Sequence, residues 1–388
     1  MSNRKLAAEL ILLLLFFAGI AAGTTYYVDP CGTDEDGLSW ESAFLSIRQG
    51  IDEANDGDIV MVGPGTYIGG LNFSGKAITL TGTDPNDWDV VKSTIIDCNG
   101  SLAEPNDILF VNSEDANSIL TGVTVTGGYG TLYNTYNYGG AVQCRGSSPT
   151  ILNCIFHGNT NDTEGYSAFG GAIAAIEGAN PLIESCIMYD NDCIYGGGVC
   201  IMDANAVIRN CLIYDHKTAW GGGGIGNWGG TDVEITNCTI VNNVSYDLHH
   251  LSFGGGIDSV FSSANQTITN CIVWGNSIED LLGCSAEYSC IEDDDEGEGT
   301  IHDDPMFIDP ASGNFNLSCF SPCINAGSED PQVQTGNFDV DGKSRVVYGR
   351  VDIGAYEIFP AAFDLDPDGK VDFFDFAVFA EHWLEGVE

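Results

Sequence analysis

The sequence predicts an all-β fold, a right-handed parallel β-helix solenoid, on three observations. A nine-residue phrase, Ile151-Leu-Asn-Cys154-Ile-Phe-His-Gly-Asn159, recurs around Cys186, Cys211, Cys238 and Cys271. A glycine cluster stands ahead of each phrase, at Gly139, Gly170, Gly196, Gly221 and Gly254. The five cysteines are 32, 25, 27 and 33 residues apart, so a fixed core alternates with loops of variable length. Periods of this size mark stacked units, each too small to bury its own apolar side chains.

The columns of the phrase justify its strands. Three residues before each cysteine stands Ile151, Ile183, Ile208, Ile235 or Ile268. Two after it stands Phe156, Met188, Ile213, Ile240 or Val273. The residue just before it is Asn153, Ser185, Asn210, Asn237 or Asn270, types that tolerate a bend. An inward Ile, a bend, then an inward Cys and an inward apolar residue describe two short strands meeting at a corner. No helical period fits, and a left-handed solenoid would show a stricter hexapeptide repeat. Upstream, residues 120–128 form a further coil with Val123 in the cysteine position, and 77–82 and 94–98 read as earlier strands.

The ends follow in chain order. Residues 1–23 have a basic start, a short apolar run and small residues at 21–23, which predicts a signal peptide and an exported protein without a transmembrane segment once it is removed. Trp40, Phe44, Ile47 and Ile51 recur at helical spacing, so residues 39–54 are expected to form an amphipathic helix capping the first coil of a 24–300 solenoid. The acidic run 292–298 is expected to be a solvated loop, and residues 301–358, which lose the repeat, a C-terminal cap.

The chain carries a net charge of −44 with 12 Lys and Arg, so nothing is available to neutralise phosphates and nucleic acid is excluded as a partner. The same charge opposes an unaided grip on polyanionic glycans unless Ca²⁺ bridges them. Fourteen cysteines in an exported chain ordinarily suggest disulfides. Coils about 4.8 Å apart suit poorly the ~3.8 Å Cβ separation and angle of a disulfide. The five column cysteines therefore read as buried thiols. Cys319 and Cys323, and Cys284 and Cys290, are better placed to bond, with the pairing open.

Candidate ligand-binding residues come from two aromatic columns. Tyr138, Phe169, Tyr195, Trp220 and Phe253 each precede a glycine cluster. His157, Tyr189, Tyr214, Val241 and Trp274 stand three residues after a column cysteine. With Tyr129, Tyr133, Tyr136, Tyr166, Tyr246, His249 and His250 they gather rings near one corner. Short segments at 192–195 and 217–220 between longer ones predict a trough over Tyr195 and Trp220. Rings stepping by one coil would stack on successive sugars, or else shield the glycine corner from within. Candidate catalytic residues are Asp190 and Asp215, neighbours in one column, with Lys217 beside them. A close carboxylate pair serves glycoside cleavage or cation binding, and a Lys serves as a lyase base. Asparagines fill most of the His216 column, which makes that column mainly a turn ladder.

The opening Tyr26-Tyr-Val-Asp29, with Gly37-Leu-Ser-Trp40, Gly57-Asp-Ile-Val60 and Gly63-Pro-Gly-Thr-Tyr67, resembles the start of secreted bacterial β-helix proteins of the pectin-lyase-like superfamily. Asp304-Pro-Met-Phe and Asp352-Ile-Gly-Ala-Tyr-Glu357 are similar to its choice-of-anchor subgroup. The resemblance spans roughly residues 25–358 and implies the fold. The superfamily mixes lyases, hydrolases, epimerases and non-catalytic surface proteins, and the clustered Asp and His of its polygalacturonases are missing here.

The tail, residues 360–388, holds a metal motif. Asp364, Asp366, Asp368, Asp372 and Asp375 supply oxygens at loop positions 1, 3, 5, 9 and 12; Gly369 allows the turn, and the Lys370 carbonyl adds position 7. Such a loop suits Ca²⁺. Asp at position 12, followed by Phe376-Ala-Val-Phe379 and Trp383, looks like a dockerin repeat. The resemblance implies docking to a cohesin-like protein, although dockerins normally carry two such repeats and this chain shows one. The residues together predict an exported Ca²⁺-binding β-helix that engages a polysaccharide or cell-surface glycan. A polysaccharide lyase or glycoside hydrolase, and a structural or adhesive surface protein, are the alternatives.

Overall fold

The computed structural model describes residues 23–161, 168–230, 232–246, 253–262, 265–328, 330, 338–346 and 350–358. The signal segment, Tyr166, His249, His250 and the tail with Asp364, Asp366, Asp368, Lys370, Asp372 and Asp375 lie outside these residues.

The chain winds as a parallel β-helix with four sheets. Sheet 1 has nine strands, from Thr25–Val28 to Asn265–Thr269, and sheet 2 has nine, from Gly65–Ile68 to Cys290–Ile291. Sheet 3 has eight, from Leu71–Asn72 to Leu281–Leu282, and sheet 4 has six, from Thr131–Tyr133 to Val244–Ser245. One coil reads Ile173–Ile176 in sheet 3, Leu182–Glu184 in sheet 1, Ile187–Tyr189 in sheet 2 and Asp192–Tyr195 in sheet 4. Ile151, Ile183, Ile208, Ile235 and Ile268 are successive ladder partners, and so are Phe156, Met188, Ile213, Ile240 and Val273.

All ten of those side chains lie in the core, with Cys154, Cys186, Cys211, Cys238 and Cys271 in one buried column between them. The bend residues Asn153, Ser185, Asn210, Asn237 and Asn270 hold φ between 48° and 56°, the left-handed region that Asn and small polar residues enter most readily. The thiols lie near carbonyls of the preceding coil, Cys186 Sγ with Ile151 O at 3.7 Å and Cys211 Sγ with Ile183 O at 3.6 Å. All the cysteines are free thiols. Neither Cys319–Cys323 nor Cys284–Cys290 is bonded; Cys290 shares an apolar cluster with Cys323 instead.

Three expectations are corrected. The N-terminal helix α1 is only Ile47–Glu53. Ser39 and Ser42 each accept the other's backbone N–H at 3.2 Å, a local bond that competes with helix, and Phe44 bridges Val28 as an extended residue. The acidic run is more than a solvated loop. Glu292, Asp293 and Asp295 accept the N–H groups of Gly275, Asp280 and Ala286, satisfying donors at the last coils. Ile301 pairs with Cys290 and so covers the last rung of sheet 2, but the later described residues up to 358 lie along the side of that sheet, where Phe315, Leu317, Val340, Ile353 and Tyr356 pack on Leu212, Val241 and Ile272. Arg345, fully buried, anchors them to the bend corner: it donates to Asn210 Oδ1 at 3.0 Å, to Asn237 O at 3.2 Å and to Glu357 Oε1 at 3.0 Å.

Candidate functional site

Sheet 4 is built by a chain reversal. Gly139, Gly170, Gly196 and Gly222 have φ of 64°, 77°, 75° and 58°, a conformation L side chains resist, and there the chain folds back over the outer face of sheet 3. The next glycine in each coil touches its neighbour: a Cβ on Gly171 would lie 2.4 Å from Gly197 O. The segments 192–195 and 217–220, expected as short loops beside a trough, are strands of this sheet.

The first aromatic column is thereby sandwiched. Tyr138, Phe169, Tyr195 and Phe253 are buried; the first three cluster with Ala174, Ile176 and Cys200 on the outer face of sheet 3. Tyr195, at 0% exposure, lies where a side chain at Gly226 would be, and its hydroxyl bonds Asp258 O at 3.2 Å. These four rings therefore have no face for a sugar, which corrects the stepping-stack expectation; Trp220 is half-buried. The available signal was the unbroken apolar run Ile173–Ile176, which marks a strand covered on both sides.

The second column runs up the outside of sheet 2. His157, Tyr189 and Tyr214 stack at 5.0 and 5.2 Å, and Phe315 covers the far side of Tyr214 at 5.1 Å. Their faces meet one another, so the rings offer solvent mainly their edges. Val241 is buried and Trp274 half-buried against the lateral segment.

The structure brings Asp190, Asp215 and Lys217 together at the corner between sheets 2 and 4, all exposed. Lys217 Nζ lies 3.5 Å from Asp190 Oδ1. Partial burial raises the Asp215 carboxyl and the Asp190 charge adds to it, while Lys217 opposes both. Asp190 and Asp215 have φ of 48° and 55°, in one bend column with Gly158, Asn242 and Gly275. Turn geometry accounts for carboxamide, carboxylate or glycine there. His216 is buried with its Nδ1 accepting from Asn191 N at 3.1 Å, one rung of the Asn159, Asn191, Asn243, Asn276 ladder.

A second place was not visible in the sequence. At the corner between sheets 1 and 2, residues 338–342 of the lateral segment face helix α2 (Trp88–Ser93) across several coils. The groove between them has a volume of about 750 Å³. Its walls are Pro85, half-buried Trp88 and Phe338, which is 58% exposed. Asn86, Asn153, Glu184, Arg209 and Asp341 give it a polar lining, with Arg209 Nη2 held 2.9 Å from Glu184 Oε2. These residues come from five separate stretches, so no spacing in the chain foretells them. Among the described residues no group of three or more His, Cys, Asp or Glu is arranged to hold a metal ion, and no helix is long and apolar enough to cross a membrane.

Comparison with known proteins places this architecture. No curated protein matches the chain. Among solved structures, pectate lyase Pel9A is similar at 16% identity with a TM-score of 0.48, over 88% of this chain and 98% of that one. A rhamnogalacturonan lyase is similar at 17% identity with a TM-score of 0.38, over 66% of this chain and 69% of that one. Residues 76–292, more than half of the sequence, match the model described as the right handed beta helix region, and the chain belongs to that family.

Proposed function

We propose that this chain is an exported, calcium-binding β-helix protein that binds carbohydrate at or outside the cell surface, in the groove over Glu184 and Arg209. The observation that supports it is the pairing of an exposed ring, Phe338, and a second ring, Trp88, with a lining of hydrogen-bonding side chains in one cleft of about 750 Å³. Ring faces take the apolar faces of sugars while amides and charged groups take their hydroxyls, and the volume suits a small-molecule ligand. Glu184 and Arg209 hold each other, which favours binding over catalysis in this groove. Export rests on residues 1–23 and calcium on residues 364–375. The dockerin-like character of the same loop favours a cohesin-like protein partner. A glycan array followed by calorimetry tests the groove: Phe338→Ala should weaken binding by about 1–3 kcal/mol, the scale of one large apolar contact. Unchanged binding would remove the groove from the account. Calcium titration of the full chain should lose one site in Asp368→Ala, and equal heats from both proteins refute the loop.

The exposed cluster of Lys217, Asp190 and Asp215 favours a second reading, a polysaccharide lyase or glycoside hydrolase acting at that corner. Product release from neutral or uronic glycans, abolished by Asp215→Asn and Lys217→Ala, would support it. No product from the unaltered chain would dismiss it.

A further inference from the structure

We infer that the ligand of the groove is a neutral glycan, rich in hydroxyl and ether oxygens and free of carboxylates, and that Arg209 reads it as a hydrogen-bond donor. The inference rests on the carbohydrate reading above and adds the chemical class.

The charges of the groove are already matched. Glu184 and Arg209 are ladder partners on adjacent strands of sheet 1, and their side chains form an ion pair at 2.9 Å. Asp341 pairs with Lys343 at 3.2 Å. Asp339 is buried, and both of its oxygens are committed: Oδ1 accepts from the N–H groups of Asp341 and Lys343, and Oδ2 from that of Glu357. A cationic ligand finds no carboxylate without a partner. A carboxylate ligand approaching Arg209 meets Glu184 already in place, with Asp341 in the same lining, and like charges brought together select against a partner. The chain's net charge of −44 acts in the same direction at longer range.

What the groove still offers is hydrogen bonding. A guanidinium carries five N–H donors. The Arg209 side chain uses one of them, from Nη2 to Glu184; its Nε is buried beyond a ligand's reach, and the spare donors lie on the Nη groups of a side chain that is 26% exposed. The Asn86 and Asn153 amides share one bond at 3.3 Å, which leaves each with further capacity. A neutral oxygen beside Arg209 takes a spare donor without displacing Glu184, and the exposed face of Phe338 takes the sugar ring. Arg209 is then a specificity residue whose charge is cancelled by its neighbour and whose donors are not.

Calorimetry on the full-length chain, with neutral oligosaccharides (gluco-, xylo- and manno-) against oligogalacturonate in chelator, tests this. The expected result is binding of a neutral series, with oligogalacturonate weaker by roughly tenfold or more. Arg209→Ala should weaken the neutral ligand by about tenfold. Glu184→Gln, which keeps the side chain's shape and its acceptor oxygen but removes the charge that cancels Arg209, should move the ratio toward oligogalacturonate by about tenfold. Circular dichroism and melting temperature establish that each variant is folded. Binding of oligogalacturonate as tight as any neutral ligand and sensitive to Phe338→Ala, or a ratio unmoved in Glu184→Gln, overturns the inference while the groove stands. If Phe338→Ala alters the binding of no glycan, the groove itself fails and the inference with it.

Discussion

His216 stands in a column otherwise made of asparagine. At each asparagine rung the side-chain oxygen accepts the N–H of the coil before and Nδ2 donates to a carbonyl, as Asn191 Nδ2 does to Phe156 O at 3.0 Å. His216 reproduces the acceptor with Nδ1 but leaves its buried Nε2 without a hydrogen-bond partner. Burial pulls its pKa down to about 3. The unfolded chain takes up a proton below about 6.5 that the folded chain refuses, so stability falls as pH drops through that window. His216→Asn should therefore stabilise the fold by about 1 kcal/mol at pH 7 and by more at pH 4, read from melting temperatures at both. Asp258 and Asp280 act with the opposite sign. Burial pushes them up to about 6 and about 7, so their contribution is fullest below pH 4 and is lost as pH rises through those values. In the Asn variant only His157, whose pKa partial burial also lowers, still opposes Asp258 and Asp280, and stability should decline between pH 4 and 7. The sequence exposes the ladder because Asn repeats; it does not expose the cost of the one ring that replaces it.

Strands were legible where a column repeats and illegible where a residue type serves two roles. The Ile and Cys columns announce the corner of sheets 1 and 2, because interior positions of stacked coils must match. The ring before each glycine pair announces a site that could face in or out. The left-handed glycine decides it by folding sheet 4 onto sheet 3, and neither sheet's covering is visible from the rings alone. The helix expected over 39–54 shrank to seven residues because two serines bond each other's backbone. The glycine corner makes a quantitative test. Gly171→Ala drives a Cβ to within 2.4 Å of a neighbouring carbonyl oxygen and should cost about 3 kcal/mol. Gly178→Ala, at φ 75° with nothing within 4 Å, should cost only about 1 kcal/mol for its backbone conformation. Urea unfolding of the two variants separates a stacking requirement from a turn requirement.

For the whole molecule the lateral segment matters most. Its Arg345 and Glu357 form an ion pair with almost no exposure. Burial already pushes the Glu357 carboxyl up to about 8 against the pull of Arg345, so without Arg345 it is left protonated and short of its partner. Arg345→Met, which also removes the bonds to Asn210, Asn237 and Gly354, should lose about 3–5 kcal/mol and render the segment sensitive to limited proteolysis. Arg345→Met with Glu357→Leu should recover part of the loss, and an undiminished loss in the double variant would count against a pair-centred account. The same segment was expected at the open end because the sequence shows only that it leaves the repeat. Its destination depends on Asn210, Asn237 and Asn270, whose side chains or carbonyls receive bonds from Arg345, Gly354 and Ser328. Three consecutive corners are thus gripped by a stretch that is made long after them. Until it arrives, Leu212, Val241 and Ile272 form a greasy stripe on finished coils, and a coil stacked one residue out of step would present the wrong corner to be gripped. This later-made segment therefore acts as an inspector of the coils made before it: only a correctly wound stack lets it dock, and a variant truncated near residue 300 should remain sticky however well its coils have formed.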